Sequence, residues 1–174
     1  MTSVSIPTIE TERLILRAHK PEDLDDMVAF FATERSQFVG GPIGRSDCWR
    51  AMMRGAGHWV LRGYGVWHIE DKASGKVAGW AGIIHHIEWP EPELAWTLFE
   101  GFEGKGVAYE AALAARDYAA KHFGMDRLIS MIAPDNHRSR ALAERMGATF
   151  ERSDNVNDYP CDVYRHPSVA EVAE

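Results

Sequence analysis

Glu93-Leu-Ala-Trp-Thr-Leu-Phe-Glu-Gly-Phe-Glu-Gly-Lys-Gly-Val-Ala-Tyr-Glu-Ala-Ala112 runs from an alternating segment through a glycine-bearing turn into an alanine-rich helical pattern. The stretch predicts strand, tight loop and helix. Gly101, Gly104 and Gly106 let the backbone turn sharply and present several N–H groups with no Cβ in the way. A helix N-terminus adds unpaired donors and the positive end of its dipole, which favours an anion there by roughly 0.3–1 kcal/mol. Alone, the turn serves as a plain connector or as an anion cradle. It is neither a Walker loop, because Val107 follows Gly106, nor a dinucleotide fingerprint, because Tyr109 stands where the third glycine belongs.

Downstream, Gly124 ends the helix, Arg127-Leu-Ile-Ser-Met-Ile132 reads as a buried strand, and Pro134-Asp-Asn136 opens a last helix with Leu142 and Met146 inward and Gly147 at its end. Ala148 to Arg152 and Cys161 to Arg165 form a closing hairpin, and the tail after Pro167 reads as frayed. Upstream, Arg13-Leu-Ile-Leu-Arg17 is a strand, and residues 21–33 form an amphipathic helix. Gln37 to Gly44 is a loop that places Phe38 against a pocket or anchors a plain connector. Ser46-Asp47 caps a second helix with Trp49, Met52, Met53, Ala56 and Trp59 or Val60 inward. Residues 65–70 and 76–88 then make an antiparallel hairpin around the turn 71–75. The order gives α/β architecture with one right-handed parallel crossover beside the glycine turn.

The chain has 174 residues, 45% of them hydrophobic, which predicts a single domain over 1–174 with its core at about 11–166. With 26 acidic against 19 basic residues the formal charge is −7, which argues against a nucleic-acid partner. No apolar run suits a membrane span and Met1-Thr-Ser-Val-Ser lacks a signal-peptide pattern, so a cytoplasmic location is expected. Cys48 and Cys161 stand far apart, with no paired-cysteine motif for zinc or a disulfide framework. His85 and His86, adjacent on an expected strand, face opposite ways, so no metal is expected. Either a monomer or a homodimer accords with the sequence.

Several separated motifs carry a resemblance. Thr11-Glu-Arg-Leu-Ile-Leu-Arg17 and Glu93-Leu-Ala-Trp-Thr-Leu98 resemble the opening and fourth strands of the GCN5-related N-acetyltransferases, in their RimJ/RimL-like branch of ribosomal-protein N-terminal acetyltransferases. Glu103-Gly-Lys-Gly-Val-Ala108 sits at that family's pyrophosphate loop, Asn136-His-Arg-Ser139 with Met146-Gly147 resembles its Asn-x-x-Ser helix, and Val163-Tyr-Arg-His166 its terminal strand. Glu103 stands where Gln or Arg is usual and Ala148 where a larger apolar residue is usual. The resemblance implies a mixed, mostly antiparallel sheet of about seven strands with a splayed parallel pair and about four helices.

It also implies acetyl-CoA as co-substrate and a primary amine as acceptor, either a peptide N-terminus or a small molecule, joined directly in a ternary complex. On that reading Gly104, Gly106, Val107 and Ala108 hold the pyrophosphate, with Glu103 pointing outward and Lys105 offsetting its charge. The backbone of Trp96 and Leu98 pairs with the pantetheine arm, and strand amides of this kind are worth roughly 3–4 kcal/mol per donor against a developing oxyanion. An amine of pKa about 8 to 10.4 must lose a proton before attack. Glu93 is the candidate base, with Glu88 and Glu91 as rivals and a surface carboxylate as the bland reading. Ser139 is the candidate acid toward the departing thiolate and Asn136 the orienting residue, unless both merely cap the helix; Tyr159 and Tyr164 are rival acids. Trp89, the loop 36–45 and the turn Asn155–Tyr159 are expected around the acceptor. A non-catalytic acyl-CoA-binding module on the same fold, and more distantly a nucleotide-binding regulator, share the loop without needing Glu93 or Ser139.

Overall fold

The computed structural model describes residues 4–172. Its strands are β1 (Ile9–Glu10), β2 (Leu14–Arg17), β3 (Val66–Asp71), β4 (Val77–Ile84), β5 (Glu93–Leu98), β6 (Ile129–Ile132), β7 (Thr149–Val156) and β8 (Tyr159–Arg165). Its helices are α1 (Leu24–Phe31), α2 (Arg45–Arg62), α3 (Val107–Phe123), α4 (His137–Arg145) and α5 (Val169–Val172), with 3-10 turns at Pro21–Asp23 and Glu34–Val39. One sheet holds all eight strands in the order β1-β2-β3-β4-β5-β6-β8-β7. Every neighbouring pair is antiparallel except β5 and β6, which run parallel and pair only at Glu93 and Ile129.

The eighth strand, against about seven expected, is Ile9–Glu10, which pairs with Leu16 and Ile15. Two residues are too few for an alternating pattern to show. The alanine-rich pattern of α3 packs on the sheet: Ala111, Ala112, Ala115 and Ala119 are fully buried in one core with Leu14, Leu16, Trp67, Ile69, Ala81, Ile83 and Leu94, while Ala108 at its start is half-buried. Small residues let the helix lie close to the sheet, and each large apolar side chain buried beneath it contributes about 1.5–3 kcal/mol. A second cluster joins Met27, Phe30 and Phe31 of α1 to Cys48 and Met52 of α2 and to Val77 and Phe99. A third holds Ile132, Ala143, Ala148 and Tyr164, with Trp96 packed against both it and the main core. Ala148 is 4% exposed, so the small residue at that position is a fitted core side chain.

Four readings change. On α2 the buried residues are Cys48, Met52 and Trp59, whereas Trp49, Met53 and Val60 are exposed. The strand expected to reach residue 88 ends at Ile84, so His85 and His86 lie in the connection that follows, where the His86 ring meets Trp89 at 4.5 Å. Residues 34–39, which overlap the start of the loop expected at Gln37–Gly44, wind into a 3-10 helix. The tail beyond Pro167 forms α5, tied down where Ser168 Oγ and Val169 N donate to Asp126 at 2.5 and 3.0 Å. The tie of the tail to Asp126 spans about 42 residues, which local periodicity does not report. No helix among the described residues is long and apolar enough to cross a membrane.

Candidate functional site

β5 and β6 form a V. Its closed end is the Glu93–Ile129 pair, backed by Arg165 of β8, which pairs with Glu91 and donates to the Arg127 carbonyl at 2.9 Å. Ile83 spends its N–H on Gly65, so its β5 partner Leu94 turns its own N–H and C=O away from β4 and toward β6. Strand alternation turns the backbone groups of Trp96 and Leu98 the same way, where β6 has already diverged. The V therefore opens toward the C-terminal ends of both strands. Parallel strands send their following connections to one edge, so the glycine loop after β5 and the Asn136–Ser139 turn after β6 flank the mouth.

At the glycine loop, Gly106 has φ 77° and stands immediately before α3. A non-glycine residue is strained in that conformation, and an added Cβ would lie 3.3 Å from Arg13 Nη2. The first helical bond accepted here runs from Glu110 N to Gly106 O, which leaves the N–H groups of Val107 and Ala108 without a helical acceptor. A cleft of about 590 Å³ opens beside this turn, lined among others by Gly104, Lys105, Gly106, Arg13 and Arg145, with the carboxylates Glu12 and Glu110 at its Arg13 side. Three cationic side chains and a free helix N-terminus are a donor set that fits an anionic group such as a pyrophosphate. Arg13 is held by Glu110 at 2.7 Å and by the Lys105 carbonyl at 2.7 Å, and Arg145 stacks over the Tyr109 ring at 4.2 Å.

Glu103 is turned to Gly101 N, which donates to it at 2.8 Å, and it pairs with Arg35. Its charge is thus offset by Arg35 and not by Lys105, whose Nζ donates to the Gly101 carbonyl at 2.7 Å. Asn136 caps α4, accepting from Ser139 N at 3.3 Å, and Ser139 is half-buried. Among the described residues no hydrogen bond joins Ser139 to Glu93 or to the glycine loop. Of the rival acids, Tyr164 is 4% exposed in the third core cluster and Tyr159 is 77% exposed at the hairpin end.

Glu93 is 7% exposed, contrary to a surface carboxylate. Its Oε2 accepts from Met131 N at 2.9 Å. Burial pushes its carboxyl up to about 8, with the Met131 N–H pulling the other way. Glu88 is exposed and Glu91 is committed to Arg165, so of the three carboxylates Glu93 alone is buried at the V. On the far side of the opening Ser130 Oγ lies 2.6 Å from Leu94 O and 2.9 Å from His166 Nε2. Arg13, Tyr109, Arg145, Ser130 and His166 carry no local sequence signal, since their partners lie 30 to 100 residues away. The pattern around Thr11–Arg17 marks Arg13 only as part of a strand. Among the described residues no hydrogen bond joins Trp89 or the loop 36–45 to Glu93. Among the described residues no group of three or more His, Cys, Asp or Glu side chains is arranged to hold a metal ion.

Residues 13–149 match the family model described as Acetyltransferase (GNAT) domain. The crystal structure of an acetyltransferase from Agrobacterium tumefaciens is 38% identical, with a TM-score of 0.86, over 95% of this chain and 97% of that one. YkkB of Bacillus subtilis is 32% identical over 62% of this chain and 64% of its own length, a little under two thirds. The ribosomal protein uS5-alanine N-acetyltransferase of Escherichia coli is 24% identical over 87% of this chain and 81% of that enzyme.

Proposed function

The chain belongs to the acetyltransferase (GNAT) domain family and is an N-acetyltransferase, and from that premise we propose that it moves an acetyl group from acetyl-CoA directly to a protein N-terminal α-amine or a small primary amine. The observation that carries this reading is the V itself: a carboxyl group buried at its closed end, with an anion-fitting helix N-terminus at its mouth.

Backbone N–H groups of Gly104, Gly106, Val107 and Ala108, with Arg13, Lys105 and Arg145 around them, would hold the donor's phosphates. The backbone of Trp96 and Leu98, lacking a partner strand, would pair with the extended arm as an added strand does. When bound, the donor supplies an activated acyl carbonyl. The protein's own part is positioning and proton management. Glu93 takes the proton from the incoming ammonium, through its second carboxylate oxygen or a water, once its own proton has left; a raised pKa makes it a stronger base when ionised. Ser139, at the first turn of α4 beside the mouth, gives a proton or hydrogen bond to the departing thiolate, with Asn136 fixing the turn.

Thiol release from acetyl-CoA, followed across a panel of N-terminal peptides and small amines, tests the reading. Acetylation of at least one amine is expected, with loss in Glu93→Gln of about 10²–10⁴-fold. Coenzyme A binding with no amine ever acetylated would instead favour the non-catalytic acyl-CoA-binding alternative.

A further inference from the structure

Beyond Glu93 and Ile129 a regular parallel ladder would join Met131 N to Leu94 O, because Leu94 faces β6 and the next rung on that strand is two residues on. That bond is not made. Each of its two groups is held instead by a side chain of the opposite strand's end: Met131 N donates to Glu93 Oε2 at 2.9 Å, and Leu94 O accepts from Ser130 Oγ at 2.6 Å. We propose that Ser130, oriented by His166, is a positioning residue that keeps this rung open and so holds the Met131 N–H on the Glu93 carboxyl.

The direction of the bonds follows from what each atom has to give. A carbonyl only accepts, so the single Ser130 hydroxyl hydrogen is spent on Leu94 O. The contact of 2.9 Å with His166 Nε2 then requires the histidine to donate, which makes it the tautomer protonated at Nε2. Its Nδ1 is left as a bare acceptor, and Nδ1 is the His166 atom that is buried without a partner. Both residues are sealed off, Ser130 at 2% and His166 at 0% exposure, so water does not compete for these bonds. His166 stays neutral, its pKa pushed down to about 4 first by burial and then by Arg116 and Arg165. Its backbone is fixed as well, His166 N donating to Leu128 O at 2.9 Å.

Removing the Ser130 hydroxyl frees Leu94 O. The Met131 N–H is the donor that a ladder would bring to it, and the rung closes. Glu93 then loses the one hydrogen bond that favours its ionised form, and the V shortens by a rung. The titratable side chain beside Glu93 on β8 is Cys161, whose thiol is held up by burial and by Asp154, Glu93 and Asp162 against Arg152; substitution at Ser130 leaves all of these in place.

The catalytic consequence rests on the acetyltransfer reading with Glu93 as base, whereas the open rung does not. The Met131 amide resonance is therefore followed from pH 5 to 10 in the whole protein, with Glu93→Gln identifying the part of its titration due to Glu93. Ser130→Ala is expected to abolish that part and to lower kcat about tenfold, a loss typical of small misplacements, with the KM for the amine little changed. Ser130→Thr, which keeps the hydroxyl, is expected to restore both. A merely structural serine would lower Tm in Ser130→Ala and leave the Met131 titration as in wild type, and that result would overturn the proposal. If the wild-type protein acetylates no amine, the proposed function fails while the Met131 titration still decides the rung.

Discussion

At Glu93 a carboxyl group is 7% exposed with one hydrogen bond, from Met131 N at 2.9 Å. Its folded pKa, pushed up to about 8 by burial, lies above its unfolded value, so the folded state binds the extra proton between them. Stability from this group is present below the ordinary glutamate range and is lost as pH rises to about 8. We expect Glu93→Gln to abolish that loss. Relative to the wild type it gains on the order of a few kcal/mol between pH 5 and pH 8.5, read from urea midpoints at both pH values. His166 and His19, lowered to about 4 and about 3 chiefly by burial, act in the opposite sense and cost stability as pH falls, equally in both proteins. An unchanged pH dependence in Glu93→Gln would mean that the carboxyl is not buried as described. None of this was legible in the sequence, where a glutamate at a strand entrance looks like any surface residue; its burial is created by β6 and β8.

Among the elements, the turn into α3 and strand β4 carry the sharpest backbone constraints. Gly106→Ala places a Cβ at φ 77° and 3.3 Å from Arg13, at a strain of about 1–2 kcal/mol. Calorimetry is expected to show coenzyme A affinity falling about tenfold, the equivalent of 1.4 kcal/mol, with α3 intact by circular dichroism. Gly82 is tighter still: an added Cβ would lie 2.4 Å from Gly65 O and 2.6 Å from Val66 Cα. Gly82→Ala should destabilise by about 2–4 kcal/mol, seen as a lower denaturant midpoint. The strand–turn–helix around Gly106 was readable because glycine and small residues leave a periodic signature. The inward face of α2 was misread at Trp49 and Met53, while of Trp59 or Val60 it is Trp59 that turns inward, because hydrophobicity at helical spacing does not say which of two stripes finds a partner. The splay followed from the family resemblance. Its physical cause at Ser130 and Leu94 did not, since it depends on residues 36 apart.

Across the whole molecule, the order of strands and helices was legible, whereas the ties that fix helices to sheet were not. Asp23 is the clearest: it accepts from Arg17 at 2.9 and 2.8 Å, from Lys20 N at 2.8 Å, and pairs with His68 Nδ1 at 2.6 Å, all beneath α1. Asp23→Ala takes the carboxylate partner from buried His68 and leaves Arg17 with Glu70 and the Ala18 carbonyl, and a loss of about 3 kcal/mol in equilibrium unfolding is expected. Sequence alone marked Asp23 only as part of the amphipathic helix expected over residues 21–33. What joins these scales is that the sheet is closed everywhere except between β5 and β6, and the candidate base sits at the vertex of that gap. The most direct test is the pH dependence of kcat/KM for wild type and Glu93→Gln, using an acceptor amine that is already neutral at pH 6. The structure predicts a wild-type rate rising with pH through an apparent pKa of about 8, and a Glu93→Gln rate that is lower by about 10²–10⁴-fold and lacks this limb. Superimposable profiles of similar magnitude would contradict the account.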